Sequence, residues 1–232
     1  MNLESINCNQ NLNKELAYLF GVYLTDGNIR KDGVFQLQVI DKDFAEMTLN
    51  CIKKIKPNCN ANIFERGPGL RTWNDGKISK EQKKYCISVG FANLKEFFEK
   101  QTNNKHHIPY LIWKSSLQIK KWFIAGIMDG DGYVCISKNG KYKDREYRRY
   151  DIGVGKTEEG WILEFKDFLQ KMGIKMRKEV RQLSKNGIPI INIRFKSGEF
   201  IENGLFFTIN RKQKRIQLLR EAQRPDAAHP TG

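Results

Sequence analysis

An α+β fold built from two similar halves, each running α-β-β-α-β-β-α, is what this sequence predicts. Three observations predict it. A helix-spaced apolar segment ending in Asp-Gly occurs twice, as LFGVYLTDG at 19–27 and IAGIMDGDG at 124–132, 105 residues apart. The same order of helical and alternating segments follows each copy. The chain has 232 residues, 40% of them hydrophobic, which suffices for one large domain or two small ones with real cores.

In the first half, residues 12–24 are apolar at helical spacing, and Asp26-Gly27 is expected to stop that helix with a glycine suited to positive φ. Strands are expected at 28–30 and 34–40, turning through Lys31, Asp32 and Gly33. A helix over 42–56 halts at Pro57, strands follow at 61–66 and 83–89, and a helix over 91–100 closes the half. The order then restarts. A helix from Ser115 to Met128 leads to strands near 133–137 and 147–154, a helix over 157–172, strands at 175–183 and 188–195, and helices near 199–207 and 211–223. The second copy carries the longer first hairpin. The halves are thus 1–102 and 115–223, joined by a linker at 103–114 whose polar start ends in Pro109. The patternless tail 224–232 (RPDAAHPTG) is expected to be disordered or an appended remnant.

Lys and Arg outnumber Asp and Glu by 41 to 26, a net +15, so the expected partner is a polyanion. The excess is +5 over residues 1–114 and +10 over the remainder, which makes the second half the more cationic. No apolar run reaches spanning length and residues 1–13 lack a signal-peptide pattern, so a soluble intracellular protein without membrane contact is expected, in cytoplasm, nucleoid or organelle matrix. The five cysteines include no CxxC pair and read as reduced core fillers; His106 and His107 are adjacent and His229 lies in the tail, which excludes a zinc site by ligand spacing.

Ala17, Gly21 and Thr25 are spaced by four, and Gly126 and Gly130 repeat the last two positions. Such a stripe lets two helix backbones approach closely. If these two helices pack together, Asp26 and Asp131 arrive side by side at two helix C-termini, where negative charge is already in excess. A bound dication would relieve that conflict, and carboxylates with helix-end carbonyls are hard ligands suited to Mg²⁺. Metal held there could activate water for phosphodiester hydrolysis. A single Asp-Gly is ordinary turn chemistry. Its recurrence at the head of two similar halves goes beyond what a turn requires. GVGKT at 153–157 lacks the leading glycine of a phosphate-binding loop, because Tyr150 stands there.

These two nonapeptides and the doubled element order, which covers nearly the whole chain, resemble the LAGLIDADG homing endonucleases in their single-chain, two-motif form. The resemblance implies a monomeric, sequence-specific double-stranded DNA endonuclease leaving 3′ overhangs. Its motif helices would form the central interface, and Asp26 and Asp131 would bind the catalytic metals with help from the carbonyls of Thr25 and Gly130. Mg²⁺ would be the working ion, Mn²⁺ a substitute, and Ca²⁺ would support binding without efficient cleavage. The sixth motif position is Leu24 in one copy and Asp129 in the other; it varies in the family, and Asp129 is expected to be a helix-end or bridging group. The family places a basic or amide residue at the far end of each first hairpin. Lys156 matches in the second copy; in the first, Asp41 falls nearest and Lys42, which follows, is a candidate.

The resemblance also implies that one face of each sheet meets the duplex, with alternation presenting every second side chain. Candidate DNA contacts are Arg30, Gln36, Gln38, Arg66, Arg71, Lys83, Lys138, Lys143, Arg145, Tyr147, Arg149, Arg177, Arg181, Arg194 and Lys196. Arg148 and Tyr150 take the opposite face unless a bulge intervenes. Arg and Gln suit base edges, and lysines suit phosphates. Two other readings stay open: an RNA-binding maturase that assists its host intron RNA, and a transcription factor that keeps the fold and loses the acids. The lack of flanking splicing blocks favours an intron-encoded enzyme.

Overall fold

The computed structural model describes residues 12–72, 76, 78–90, 92–142, 145–157, 160–184 and 186–222. Helix α1 (Lys14–Leu24) begins where the Asn13 side chain accepts the Leu16 N–H at 2.9 Å, a cap for one of the four unpaired amides of a helix start. All residues from Ala17 to Leu24 are buried, as a helix apolar on every side must be. Strands β1 (Asn28–Ile29) and β2 (Val34–Val39) turn back through Gly33, whose φ of 77° suits glycine. Helix α2 (Lys42–Ile55) buries Phe44, Ala45, Thr48, Cys51 and Ile52 and exposes Lys53 and Lys54. Then come β3 (Ile63–Arg66), β4 (Leu70–Thr72), β5 (Ile78–Lys80), β6 (Lys84–Gly90) and α3 (Ala92–Thr102).

The second half opens with α4 (Tyr110–Lys114) and α5 (Leu117–Gly130), the latter capped by Ser116. It continues through β7 (Gly132–Tyr142), β8 (Arg145–Thr157), α6 (Trp161–Lys171), β9 (Val180–Leu183), β10 (Pro189–Phe195), α7 (Ser197–Glu202) and α8 (Asn210–Ala222). The two four-stranded antiparallel sheets have matching orders, β1-β2-β6-β3 and β7-β8-β10-β9. The chain is therefore an α+β protein in which the predicted element order recurs. One apolar cluster runs through both halves, from Phe20, Phe44 and Phe98 to Phe123, Phe165 and Phe195.

Motif helices α1 and α5 cross at their glycines. A Cβ on Gly21 would lie 2.4 Å from the Phe123 carbonyl oxygen and 2.7 Å from the Ile127 nitrogen, and one on Gly126 would lie 2.3 Å from the Tyr18 carbonyl oxygen. Backbone touches backbone there. One turn further on, a Cβ at Gly130 would meet the Thr25 hydroxyl at 2.2 Å. The small-residue stripe is thus the contact that brings the two helix C-termini together.

Two expectations need correction, the positive φ of Gly27 and the plain linker at 103–114. Gly27 and Gly132 do not have positive φ. They are glycines because of crowding, since a Cβ would come within 3.0 Å of the Val22 carbonyl oxygen and 2.3 Å of the Met128 carbonyl oxygen, respectively. The β4/β5 hairpin falls between the expected strands 61–66 and 83–89 and has no counterpart among the described residues of the second half. The segment 103–114 is not a plain tether, because it contains α4 and buries Ile108, Pro109 and Ile112. GVGKT is strand and not a phosphate cradle, in keeping with its missing glycine: β8 runs straight through it, with Gly153 to Thr157 paired to Arg194 to Ile190 of β10. Cys51, Cys59, Cys86 and Cys135 carry free thiols.

Candidate functional site

Asp26 follows α1 directly, and Asp131 is the C-cap of α5, its N–H bonded to the Ile127 carbonyl at 3.0 Å. Because the helices touch at Gly21, Gly126 and Gly130, the two carboxylates stand close enough for the Asp131 charge to act on Asp26. The Asp26 pKa lies above the ordinary carboxylate value. Protein packed around this otherwise exposed residue displaces water, which is the larger cause, and Asp131 adds to it; Lys156, Lys212 and Lys105 pull the other way.

Those three lysines come from three different elements. Lys156, near the end of β8, donates to Asp131 Oδ2 at 2.7 Å. Lys212, in the first turn of α8, is buried and donates to the carbonyls of Met128 at 3.0 Å and Asp129 at 2.7 Å. It places a cation at the negative pole of α5. Burial pushes its pKa down to about 8. Lys105, between α3 and α4, donates to the Gly27 carbonyl at 2.5 Å with its ammonium 4.8 Å from the Tyr23 ring centre. Burial and the neighbouring Lys156 hold its pKa down to about 8 as well. Neither Lys105 nor Lys212 was identified from sequence, since nothing in their local patterns links them to helix ends about 80 residues away.

The two helix ends are finished differently. At α1 the Trp161 indole donates to the Leu24 carbonyl at 3.0 Å. At α5 the position matching Leu24 is Asp129, which accepts from the Tyr18 hydroxyl at 2.8 Å, the Thr208 N–H at 3.0 Å and the Thr208 hydroxyl at 2.5 Å. Asp129 is 2% exposed, and burial raises its pKa to about 6 against these donors. It bridges α1, α5 and the segment before α8, the role its place at a helix end suggests.

Lys42 does not reach this centre by the route expected for it. It is the first residue of α2, exposed and paired with Glu46 at 3.4 Å, while Asp41 is bound by Arg211. Registers give the physical reason. Asn28 pairs with Gln36 as Tyr133 pairs with Gly153, so three residues further along each strand Val39 occupies the place of Lys156.

Among the described residues, no group of three or more His, Cys, Asp or Glu side chains could hold a metal ion. What is present is a pair of carboxylates at two helix C-termini. That donor set fits Mg²⁺, which binds through one or two carboxylates and completes its shell with water and phosphate oxygens. Asp26 and Asp131 would hold it, with the adjoining carbonyls of Thr25 and Gly130 as further oxygen donors.

Register also sorts the sheet faces. In the first sheet Ile29, Phe35, Leu37, Val39, Ile63, Ile87 and Val89 share the apolar face. Gln36 pairs with Ser88, Gln38 with Cys86 and Phe64 with Cys86, and Arg66 with Lys84, all on the open face. Gln38 and Arg66 are exposed and Gln36 half-buried; Arg30 pairs with Asp32 and Lys83 with Glu65. In the second sheet Arg194 shares the open face with Tyr133 and Gly153, and its Nε is buried without a hydrogen-bond partner. Arg177 donates to Asp151 on that face at 2.8 Å, and Lys196 is exposed at the head of α7. Arg181 is on the other side: it pairs across the sheet with Ile191 and beyond it Lys156, and binds Glu179. Gln182 takes the open face instead. Tyr147 pairs with Asn139 and Arg145 with Tyr142 in the long hairpin, where a register shift falls between Asn139 and Lys141. Lys143 lies outside the described residues, as do the side chains of Arg71, Lys138, Arg145, Tyr147 and Arg149.

No family model matches the chain. It is 24% identical over 232 residues to the uncharacterized protein MJ0398 of Methanocaldococcus jannaschii, covering 90% of this chain and 72% of that one. It is 22% identical over 210 residues to the glutamine–fructose-6-phosphate aminotransferase of the same organism, a match to 88% of this chain and only 17% of the enzyme. In structure it is similar to the homing endonuclease I-WcaI bound to its DNA recognition sequence, with a TM-score of 0.55, 14% identity, and coverage of 89% of this chain and 87% of that one. That likeness establishes the shared fold. No helix among the described residues is long and apolar enough to cross a membrane.

Proposed function

We propose that this chain is a monomeric, site-specific endonuclease that hydrolyses both strands of double-stranded DNA with the help of Mg²⁺. The single observation that carries the reading is the convergence of Asp26 and Asp131 at two touching helix ends, surrounded by Lys105, Lys156 and Lys212. Supporting it are the open polar face of each sheet, the net charge of +15, and the fold held in common with a protein described as a homing endonuclease bound to its recognition sequence.

A divalent ion held by the two aspartates would supply a lowered water pKa and stabilise charge on the departing oxygen. The chain's own residues do the remaining work. Lys156 holds Asp131 in place and offers its remaining N–H groups to phosphate. Lys212 and the Trp161 indole satisfy helix-end carbonyls at Asp129, Met128 and Leu24, fixing the angle at which each carboxylate leaves its helix. Gln36, Gln38, Arg66, Arg177 and Arg194 lie on the open side of the sheets or bind a group there; Arg and Gln side chains can read base edges in the major groove.

The test is cleavage of a randomised DNA library with Mg²⁺, followed by Asp26→Asn and Asp131→Asn assayed on the selected target. Each variant is expected to lose double-strand cutting while still binding in Ca²⁺. Wild-type cutting by either variant would overturn the assignment.

A further inference from the structure

At the end of α1 remote from Asp26, a cavity of about 380 Å³ opens between the first turn of α1, one face of α2 and the first half of α5. Its size is that of a small-ligand pocket, and the 11 residues of α1 separate it from the paired aspartates by roughly 16 Å. Part of its wall is apolar. Trp122 is half-buried, its ring edge-on to Tyr18 at 6.3 Å and to Phe206 at 4.9 Å between centres, and Met47 and Cys51 continue the surface. The rest is cationic, with three lysines against one carboxylate. That carboxylate, Glu15, is 8% exposed and bound by Lys54 at 2.8 Å. Burial opposes its ionisation, yet the bond to Lys54 keeps its pKa below the ordinary carboxylate value, so these two charges satisfy each other. Two cations are left over. Lys53 is exposed with no acid partner among the described residues, and the Lys14 ammonium rests 5.4 Å from the centre of the Trp122 ring.

The lining suits binding rather than covalent chemistry, because burial pushes the Cys51 thiol up to about 12 and keeps it neutral. It also selects the ligand. A bare phosphate would leave Trp122 and Met47 uncovered. A purely apolar molecule would cover Lys14 and Lys53 without pairing them, and an unpaired charge is costly to bury. A flat aromatic ring joined to an anion meets both demands. The Lys14 ammonium marks a face of Trp122 that is open to a partner; an arriving ring can stack there while the ammonium swings to the anion. Asn50, exposed on the same face of α2 as Met47 and Cys51, carries both a donor and an acceptor for the edge of a polar ring. We propose that this cavity binds a mononucleotide, its base stacked on Trp122 and its phosphate held by Lys14 and Lys53. The site is independent of the endonuclease reading.

The experiment is isothermal titration calorimetry of the full chain with adenosine monophosphate, adenosine and inorganic phosphate. The monophosphate should bind at one site with a Kd below about 1 mM, and adenosine and phosphate should each bind about tenfold more weakly or worse. Lys14→Gln and Lys53→Glu change exposed side chains and should each weaken the monophosphate by about tenfold or more, the size of one lost charge-assisted hydrogen bond. Lys178→Glu, an equal change of charge at an exposed site in the other half, should alter binding by less than about twofold. Trp122→Phe keeps an aromatic ring in the wall and should remove most of the nucleotide-induced change in tryptophan fluorescence. No binding of the monophosphate to wild type, binding as tight in Lys14→Gln and Lys53→Glu as in wild type, phosphate alone binding as tightly as the nucleotide, or an unchanged fluorescence response in Trp122→Phe overturns the proposal.

Discussion

Gly21→Ala places one methyl group where the two motif helices have no room. Its Cβ would sit 2.4 Å from the Phe123 carbonyl oxygen, whereas ordinary contact begins near 3.4 Å. The obstructing atoms are backbone, so no rotamer change can clear them, and α1 and α5 must separate by roughly 1 Å. Overpacking of this kind costs ~1–3 kcal/mol, and the rigidity of both partners argues for the upper half of that range. For a chain of this length each kcal/mol lowers Tm by about 2–4 °C, so the expected loss is about 4–12 °C by circular dichroism. Moving two reacting groups apart by about 1 Å also costs on the order of 10²-fold in rate, which target cleavage would report. Gly69→Ala is the control, because nothing lies within 4 Å of its Cβ. A Gly21→Ala protein whose Tm stays within about 1 °C of wild type would refute the idea that backbone contact sets the helix spacing.

Tyr18→Phe removes a buried donor from Asp129 and should destabilise by about 1.5–3 kcal/mol, the usual size for a hydrogen bond to a charged group, as read from urea unfolding. Lys212 loses its proton near pH 8 when folded and near its ordinary value of 10.5 when unfolded. The unfolded chain therefore holds more protons between those limits, and the stability of wild type relative to Lys212→Met should rise with pH across about 8 to 10.5; chemical denaturation at several pH values checks this, and a flat or falling difference contradicts it. Lys42→Ala removes only an exposed pair with Glu46 and should leave both stability and cutting within about 0.5 kcal/mol of wild type, a result that a cleavage assay with thermal melts decides.

The parts of the molecule legible in the sequence are those written with a period. The apolar runs at 3.6-residue spacing marked α1 and α5, alternation marked β2, β6 and β10, and the small residues Gly21, Gly126 and Gly130 marked the face on which the helices meet. Asp26 and Asp131 followed from that face, because a helix contact fixes where its ends must be. Side chains that arrive from elsewhere were not legible. Lys105 reaches the centre through a left-handed turn that no propensity favours, and Lys212 comes from the first turn of α8, where it resembles any other charge of a basic helix. Counting along the chain placed Asp41 and Lys42 where pairing places Val39, because the shorter first hairpin shifts every later position and only the sheet register restores the match. The β4/β5 hairpin escaped notice because Gly67, Pro68 and Gly69 precede it and read as loop.

Asp26 and Asp131 are proposed to share one cation-binding centre. Its most direct test is a crystal structure of the protein with its selected DNA target and Ca²⁺. Both carboxylates should ligate metal at about 2.3–2.6 Å beside the scissile phosphates. Ions bound elsewhere on the protein, with the two aspartates touching neither metal nor phosphate, would contradict it.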